Sequence, residues 1–269
     1  MKKTLITLLV FYTSISFSQG NCLLYPEGSN ERKACRLAQT TSELKQGSRE
    51  SQIRFDSIIK LNPNYAWAYF EKSVAYLKRG LVIEGFKLLN KAVELDARSH
   101  LTYRAYWYFQ NRNYKMCIND LERYYALPKA YMFELTPGGE KDMRIILGLS
   151  YAKIGQFYKG IDAITNCINS YDSEDDIGFT DYHSLGVLYV LNEQYDLAIE
   201  ALKKQLLINK DISDTYYYLG LAYKGKGNVN EANIWFNDAL LKFKDPYRFV
   251  NINAGFRVYE SDILKEINN

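Results

Sequence analysis

A short pattern of large and small residues occurs twice in the C-terminal half of the chain, 34 residues apart. The pattern Tyr-x-x-Leu-Gly-x-x-Tyr occupies residues 182–189 and returns at 216–223, and an alanine follows each copy, Ala198 and then Ala232. Large residues three or four places apart form an apolar stripe on a helix. The small residues let a second helix approach closely, and Gly227 suits the reversal between the two helices. The spacing therefore predicts antiparallel helix pairs.

A helix–turn–helix pattern that returns at this spacing resembles the tetratricopeptide repeat, a unit of about 34 residues. Other stretches match the same pattern with falling fidelity. The resemblance implies an all-α fold, a right-handed α-solenoid of about six repeats with a C-terminal capping helix, because no repeat buries its apolar face alone. Unrelated helical hairpins in a bundle stay the alternative. The repeats lie near residues 32–65, 66–99, 98–131, 141–174, 179–212 and 213–246.

The amino terminus has the form of a secretory signal peptide. Lys2 and Lys3 precede an apolar run, and we predict a signal peptide over 1–18 with cleavage before Gln19. A retained membrane anchor is one alternative, although the run is far shorter than the roughly 20 residues that span a bilayer. A lipid anchor at Cys22 is the other alternative. We expect an exported bacterial protein of the periplasm or the cell exterior.

Removal of the signal peptide would lower the net charge from +3 to +1, because two lysines leave with it. A nearly neutral chain lacks the positive surface of a nucleic-acid binder, so no nucleic-acid partner is expected. No later segment of the sequence is apolar enough to span a membrane. Because a solenoid grows by adding repeats, one elongated domain over 32–246 is favoured over two globular domains.

The four cysteines divide into two pairs with different expected roles. In an oxidising compartment, Cys22 and Cys35 favour a disulfide that ties the N-terminal segment, 19–31, to the first helix. Two free thiols are the alternative. Cys117 and Cys167 occupy interior positions of second helices and are expected to be small buried hydrophobes. The spacing fits no zinc site, and we predict neither a metal nor a cofactor.

Two insertions interrupt the series, and both fall at joins between repeats. The first, Ala126 to Asp142, contains the helix-breaking run Thr-Pro-Gly-Gly, and the second is the acidic run Tyr171 to Gly178. Both should project from the same edge of the solenoid. The acidic run lacks the spacing of a calcium loop, so a solvated turn that caps the next helix is favoured. Residues 247–269 are expected to form a cap, with a helix over about 258–267.

In the tetratricopeptide-repeat family, the first helices line the concave face, and their variable positions contact the ligand. Carried over to this chain, the resemblance implies a partner-binding groove that is apolar and aromatic with occasional cations. Packing between repeats is the alternative explanation of these side chains. The Lys and Asn with which one subgroup holds a C-terminal carboxylate are absent. The implied groove residues are Phe70, Val74, Leu77, Tyr106, Phe109, Ile145, Leu149, Lys153, His183, Val187, Val190, Tyr217, Leu221 and Lys224.

These expectations favour a non-catalytic protein- or peptide-binding scaffold of the bacterial cell envelope, with a partner that the sequence does not identify. A glycan-binding protein that stacks sugar rings in the aromatic groove is the alternative, and self-association stays open. An enzyme is a remote alternative. The chain has only two histidines, His100, expected at the surface, and His183, expected in the groove. Neither stands in an activating motif.

Overall fold

The computed structural model describes residues 21–250 and 255–268, so the predicted signal peptide over 1–18 lies outside the described residues. The described part of the chain is all-α, with thirteen α-helices and a single β-bridge, between Leu135 and Asp142. None of these helices combines the length and the hydropathy that crossing a bilayer requires. The helical architecture confirms the predicted class, an all-α solenoid.

The described helices group into two compact units, and the single elongated domain over 32–246 stays a prediction. The N-terminal unit ends at Leu95 and has its own hydrophobic cluster around Ile58. The C-terminal unit begins at Asp96 and has a larger cluster that includes Leu149. The division follows from these separate cores. The N-terminal unit contains α1 (Asn30–Gln39), α2 (Arg49–Leu61), α3 (Ala66–Lys78) and α4 (Val82–Leu95). The C-terminal unit contains α5 (Ala97–Gln110), α6 (Tyr114–Tyr125), α7 (Met143–Lys153), α8 (Phe157–Asn169), α9 (Asp181–Leu191), α10 (Tyr195–Ile208), α11 (Ser213–Gly225), α12 (Val229–Lys244) and α13 (Glu260–Ile267).

Consecutive helices pair as the repeat requires. In the N-terminal unit α1 packs on α2 and α3 on α4. In the C-terminal unit α5 packs on α6, α7 on α8, α9 on α10, and α11 on α12. The first helices of these pairs also contact one another in order, α5 with α7, α7 with α9, and α9 with α11. The first helices of the C-terminal unit therefore share one face.

Local capping sets the ends of the helices. The predicted reversal at Gly227 is confirmed, since this residue has a φ of 80°. Asn228 follows it and accepts a hydrogen bond from the backbone N–H of Glu231 at 3.2 Å, which starts α12. In the same way, Asp142 starts α7 by accepting a hydrogen bond from the backbone N–H of Arg144 at 2.8 Å. Turn and cap residues thus place the helix boundaries.

The predicted close approach of small residues is tightest in the fourth repeat, between α7 and α8. A Cβ on Gly148 would lie 2.7 Å from the carbonyl oxygen of Gly160, and a Cβ on Gly160 would lie 2.6 Å from that of Gly148. In the fifth repeat, the three atoms nearest to a Cβ on Gly186 all belong to the side chain of Leu202. The two backbones of the fourth repeat therefore meet only because both positions are glycine.

The predicted disulfide between Cys22 and Cys35 is present, with Cα atoms 5.5 Å apart. It ties the N-terminal segment to α1. Cys117 and Cys167 are free and buried, as the sequence predicted. Burial is the main cause that raises the pKa of each of these thiols to about 12, so neither forms the reactive thiolate at neutral pH.

We expect a thiol titration to find no reactive cysteine in the native protein at neutral pH and two in the denatured, unreduced protein. The disulfide removes one pair of thiols, and burial protects Cys117 and Cys167 until the chain unfolds. A chromogenic thiol reagent, applied with and without concentrated guanidinium, makes the measurement. Four thiols in the denatured sample would exclude the disulfide, and rapid reaction in the native sample would exclude burial.

Candidate functional site

The two insertions of the C-terminal unit line a single pocket of about 820 Å³, termed the insertion pocket. The first insertion contributes residues from 131–142, and the second contributes residues from 171–178, with Phe179 and Thr180 directly after it. Phe249 and Val250, which follow α12, complete the lining. The shared pocket agrees with the expectation that both insertions project from the same edge.

Backbone hydrogen bonds hold the first insertion in place. The backbone N–H of Thr136 donates to the carbonyl of Lys141 at 2.7 Å, and that of Met143 donates to the carbonyl of Glu134 at 2.8 Å. Gly139, in the turn between them, has a φ of 77°, which other residues rarely adopt. These contacts fix the turn and therefore the positions of the side chains that line the pocket.

The walls of the insertion pocket are largely apolar and exposed. Tyr131, Leu135 and Phe179 each have more than half of their surface accessible, and Phe179 reaches 67%. Phe133 is also exposed, and its ring stacks on that of Tyr171 with centroids 6.2 Å apart. Single exposed apolar residues are ordinary, whereas a cluster of them around a cavity is typical of a binding surface.

Arg144 supports two of these aromatic walls. Its guanidinium carbon lies 5.1 Å from the ring centroid of Phe133 and 5.8 Å from that of Tyr171. The same group donates to both carboxylate oxygens of Asp142, at 3.0 and 2.8 Å, and to Ser170 Oγ at 2.6 Å. Burial by itself would lower the pKa of Arg144. The hydrogen bonds to Asp142 outweigh this effect, so the pKa is raised. Arg144 is therefore a paired, positioned cation.

Lys141 is a second buried cation beside the pocket. Its Nζ donates to the hydroxyl of Thr180 and, at 3.3 Å, to that of Ser184. Burial lowers the pKa of Lys141 to about 8, and the carboxylate of Asp181 opposes this shift. Burial also raises the pKa of Asp181, and the charge of Lys141 opposes that shift in turn. The two buried charges therefore stabilise each other.

His183, which the sequence places in the groove, is buried beside this pair. Its backbone N–H donates to Gln205 Oε1 at 2.9 Å, and its Nδ1 lies 3.0 Å from Thr215 Oγ1. Burial, and then the charge of Lys141, lowers the pKa of His183 to about 3, so the ring is neutral at physiological pH. His100, expected at the surface, is buried as well, and burial lowers its pKa. Neither histidine is accessible to a partner in this conformation.

A lysine with a lowered pKa beside a carboxylate and hydroxyls also occurs in catalytic sites. Here Lys141 is only 2% exposed, and its Nζ is bonded to two hydroxyl groups, so the amine is not accessible to a substrate in this conformation. Within residues 21–250 and 255–268, no group of three or more His, Cys, Asp or Glu has the geometry of a metal site. The cluster is best explained as support for the pocket.

Comparisons with known proteins agree on the repeat. The family profile described as "Tetratricopeptide repeat" matches residues 182–212. PilW, described as a "widely conserved type IV pilus biogenesis factor", has a similar structure with a TM-score of 0.61 at 14% identity, over 86% of this chain and 98% of PilW. YrrB, described as "a TPR protein with an unusual peptide-binding site", has a TM-score of 0.57 at 20% identity, over 71% of this chain and 93% of YrrB.

Residues 182–212 therefore match one tetratricopeptide repeat, and the chain has the fold of solved proteins built from this repeat. PilF of Pseudomonas aeruginosa is also similar, with a TM-score of 0.58 at 11% identity, over 88% of this chain and 97% of PilF. Identities this low establish the fold and not a shared partner. No curated protein matches the chain. Tetratricopeptide-repeat proteins bind protein or peptide partners and are generally scaffolds without catalytic activity.

More than half of the groove residues implied by the tetratricopeptide-repeat resemblance are buried. The sequence does not separate side chains between neighbouring helices from side chains that face solvent, because both sets are apolar. The buried residues are Val74, Leu77, Phe109, Ile145, Leu149, His183, Val187 and Val190. Phe70, Tyr106, Lys153, Tyr217 and Leu221 are partly buried, and Lys224 is exposed. The eight buried residues are not accessible to a partner in this conformation, and binding by the remaining six stays a prediction.

The chain's own C-terminal segment covers part of the face formed by the first helices of the C-terminal unit. A Cβ on Gly255 would lie 3.6 Å from both Leu149 and Phe109. The ammonium group of Lys153 lies 3.6 Å from the ring centroid of Phe256. Farther along, α13 packs against α12. The segment thus shields the last repeat, as expected of a cap, and also occupies space where the sequence analysis expects a partner.

Lys141, Thr180 and Asp181 are not among the residues that the sequence predicts to take part in binding. A signal for them was present, because a polar pair stands where the first helix after each insertion begins: Lys141-Asp142 directly before α7, and Thr180-Asp181 at the start of α9. The first helices of consecutive repeats lie side by side. Polar pairs at the same end of neighbouring first helices are therefore brought together.

Proposed function

We propose that this protein is a non-catalytic scaffold of the bacterial cell envelope that holds a segment of another protein in the insertion pocket. The pocket itself carries the proposal, since exposed aromatic side chains from two insertions meet there on a fold that serves for binding. Its volume of about 820 Å³ lies within the range of about 300–1,000 Å³ typical of ligand pockets. The aromatic walls supply the kind of contact that dominates binding energy when it is desolvated.

The accessible surface favours the insertion pocket over the concave face. Phe109 and Leu149 are buried in the core of the C-terminal unit, next to Gly255 of the C-terminal segment. Phe179 and Leu135 are accessible without any rearrangement. The peptide-binding site described for YrrB supports peptide recognition by a related fold, without indicating the same surface.

Two features of the N-terminal region support export. The Lys-Lys start and the apolar run that follows have the form of a signal peptide. The disulfide between Cys22 and Cys35 is of a kind that persists in oxidising compartments and is rare in the cytosol. A binding protein with both features fits the envelope or the cell exterior.

Site-specific crosslinking tests the proposed docking site. We expect a photoreactive phenylalanine analogue at position 179 to give one discrete crosslinked protein in cells that contain the natural partner. The same analogue at position 207 should give none, because Leu207 is 88% exposed but lies outside the pocket. The product at position 179 should be lost in the Leu135→Ser variant, which removes an exposed wall of the pocket.

The matched control for Leu135→Ser is Tyr158→Ser, which removes a 75% exposed side chain outside the pocket. This variant should leave the crosslink unchanged. Equal crosslinking at positions 179 and 207, or equal loss in both serine variants, would contradict docking in the pocket. Recovery of polysaccharide in place of a protein would contradict a protein partner.

A further inference from the structure

We infer that the insertion pocket selects a basic and apolar peptide segment, one that carries lysine or arginine next to large apolar side chains. The inference rests on the proposed function and names the chemistry of the partner. It depends on one juxtaposition: the exposed apolar walls of the pocket lie next to Asp172 and Asp176, exposed carboxylates of the second insertion that form no ion pair in the described part of the chain.

The acidic border comes from both insertions. Asp172 and Asp176 line the pocket from the second insertion, and Glu140 lines it from the first. Glu174 and Asp175 lie on the same exposed turn as the two aspartates. In the part of the chain that the structure describes, no ion pair involves Asp172, Asp175 or Asp176. The mouth of the pocket is therefore negatively charged.

The cations next to the pocket do not cancel this charge. Arg144 forms a two-point ion pair with Asp142, with a closest approach of 2.8 Å. Lys141 is buried, bonded to hydroxyl groups, and close enough to Asp181 for each to affect the charge of the other. Arg144 is thus paired with a carboxylate and Lys141 is buried away from solvent, so the exposed carboxylates of the border determine the electrostatic potential that an approaching segment meets.

The walls suit a cation as well as an apolar side chain. Arg144 already lies against the rings of Phe133 and Tyr171 from the protein side. The exposed rings of Tyr131 and Phe179 offer similar faces to a ligand. A lysine or arginine placed over an aromatic ring gains further attraction from the ring, most of all where water is excluded. A basic residue next to an apolar anchor can therefore use both the walls and the border.

Charge complementarity favours a basic and apolar segment over other possible occupants of the insertion pocket. An acidic or phosphorylated segment would meet like charge at Asp172 and Asp176, and juxtaposed like charges suppress the wrong partner. An uncharged segment would contact the apolar walls but would gain no electrostatic attraction from the acidic border. A segment with both features gains apolar contact inside the pocket and attraction at its mouth.

Fluorescence anisotropy with three synthetic peptides tests the inference. The protein used is the full chain without the predicted signal peptide, residues 1–18. The probes are Lys-Phe-Lys-Leu-Lys, the charge-reversed Glu-Phe-Glu-Leu-Glu, and the polar Lys-Ser-Lys-Ser-Lys, all with blocked ends and one fluorophore. We expect the first peptide to bind at least about tenfold more tightly than either of the others. Its affinity should fall as sodium chloride is added, because salt screens exposed charges.

Paired variants locate the effect. Asp172→Asn with Asp176→Asn should weaken binding of the first peptide about five- to tenfold, as expected for two partly screened charges. Asp162→Asn with Asp196→Asn should leave it unchanged, because these exposed aspartates lie outside the pocket. Equal binding of the charge-reversed peptide, no loss in the pocket variant, or no binding of the first peptide would overturn the inference. Crosslinking at position 179 is scored independently, so docking in the pocket can stand if this charge preference fails.

Discussion

Replacement of Gly160 by alanine is expected to destabilise the protein by about 2–3 kcal/mol, although it adds a single methyl group. The new Cβ would lie 2.6 Å from the carbonyl oxygen of Gly148, a backbone atom that cannot rotate away. Helices α7 and α8 would have to separate, which loosens the core that they share. Alanine favours a helix over glycine by about 1 kcal/mol, and the estimate already includes this opposing effect.

Urea unfolding followed by circular dichroism measures the loss of stability. An unchanged slope of the unfolding free energy against urea concentration would show that the variant keeps its fold. Gly186→Ala is the matched control, because its Cβ would meet the side chain of Leu202, which can move. The control should lose less than half as much stability as Gly160→Ala. If the two variants were equally stable, direct contact between the backbones would not explain the glycines of the fourth repeat.

Replacement of Lys141 by methionine is expected to destabilise the protein by about 3 kcal/mol at neutral pH. Asp181 would then be a buried carboxylate without the nearby charge that favours its ionised form, and leaving a buried charge uncompensated typically costs about 3–5 kcal/mol. Methionine keeps most of the volume of the side chain, so the loss would not come from a cavity. The stability difference from the unmodified protein is measured by urea unfolding at several pH values.

The direction in which the stability loss of Lys141→Met changes with pH follows from the pKa of Asp181 with and without Lys141. Burial raises the pKa of Asp181, and without Lys141 that pKa would rise further. A raised carboxyl pKa costs stability as pH climbs above the pKa of the unfolded chain, so the loss in Lys141→Met should be greatest at neutral pH. Below about pH 4 Asp181 is protonated in both states, and the difference should vanish or change sign.

The double variant Lys141→Met with Asp181→Asn removes both charges and should regain much of the stability lost at neutral pH. Asp181→Asn alone should also destabilise, since it leaves Lys141 buried without a carboxylate. If Lys141→Met were equally destabilising at acid and neutral pH, or if the double variant regained nothing, the two charges would not be coupled. The support of the insertion pocket would then have another origin.

Local rules made much of the fold predictable. The repeated Leu-Gly pairs and the alanines that follow them placed helix pairs in the fifth and sixth repeats, and Gly227 and Asn228 form the expected turn. These assignments hold because helix starts, reversals and apolar stripes depend on residues within a few positions of one another. The disulfide was predictable for a similar reason, since Cys22 and Cys35 are close in sequence.

The candidate site was less predictable, because it depends on distant parts of the chain. The sequence marked both insertions and expected them at one edge, but it placed the binding residues on the first helices. Leu149 and Val187 are apolar, as a groove requires, yet both are buried in the core of the C-terminal unit. The apolar character of a residue does not show whether it is buried against a neighbouring helix or exposed in a groove.

By itself the sequence determined that this chain forms paired helices, where those pairs turn, and which stretches interrupt them, because short-range periodicity and turn chemistry govern each of these properties. Only the tertiary structure decided which apolar residues remain accessible. It brought the aromatic residues of two separate insertions around one pocket, buried Lys141 against Thr180 and Ser184, and placed the C-terminal segment next to the first helices. Those contacts join residues tens of positions apart, and their energies depend on burial and distance, which no local pattern contains.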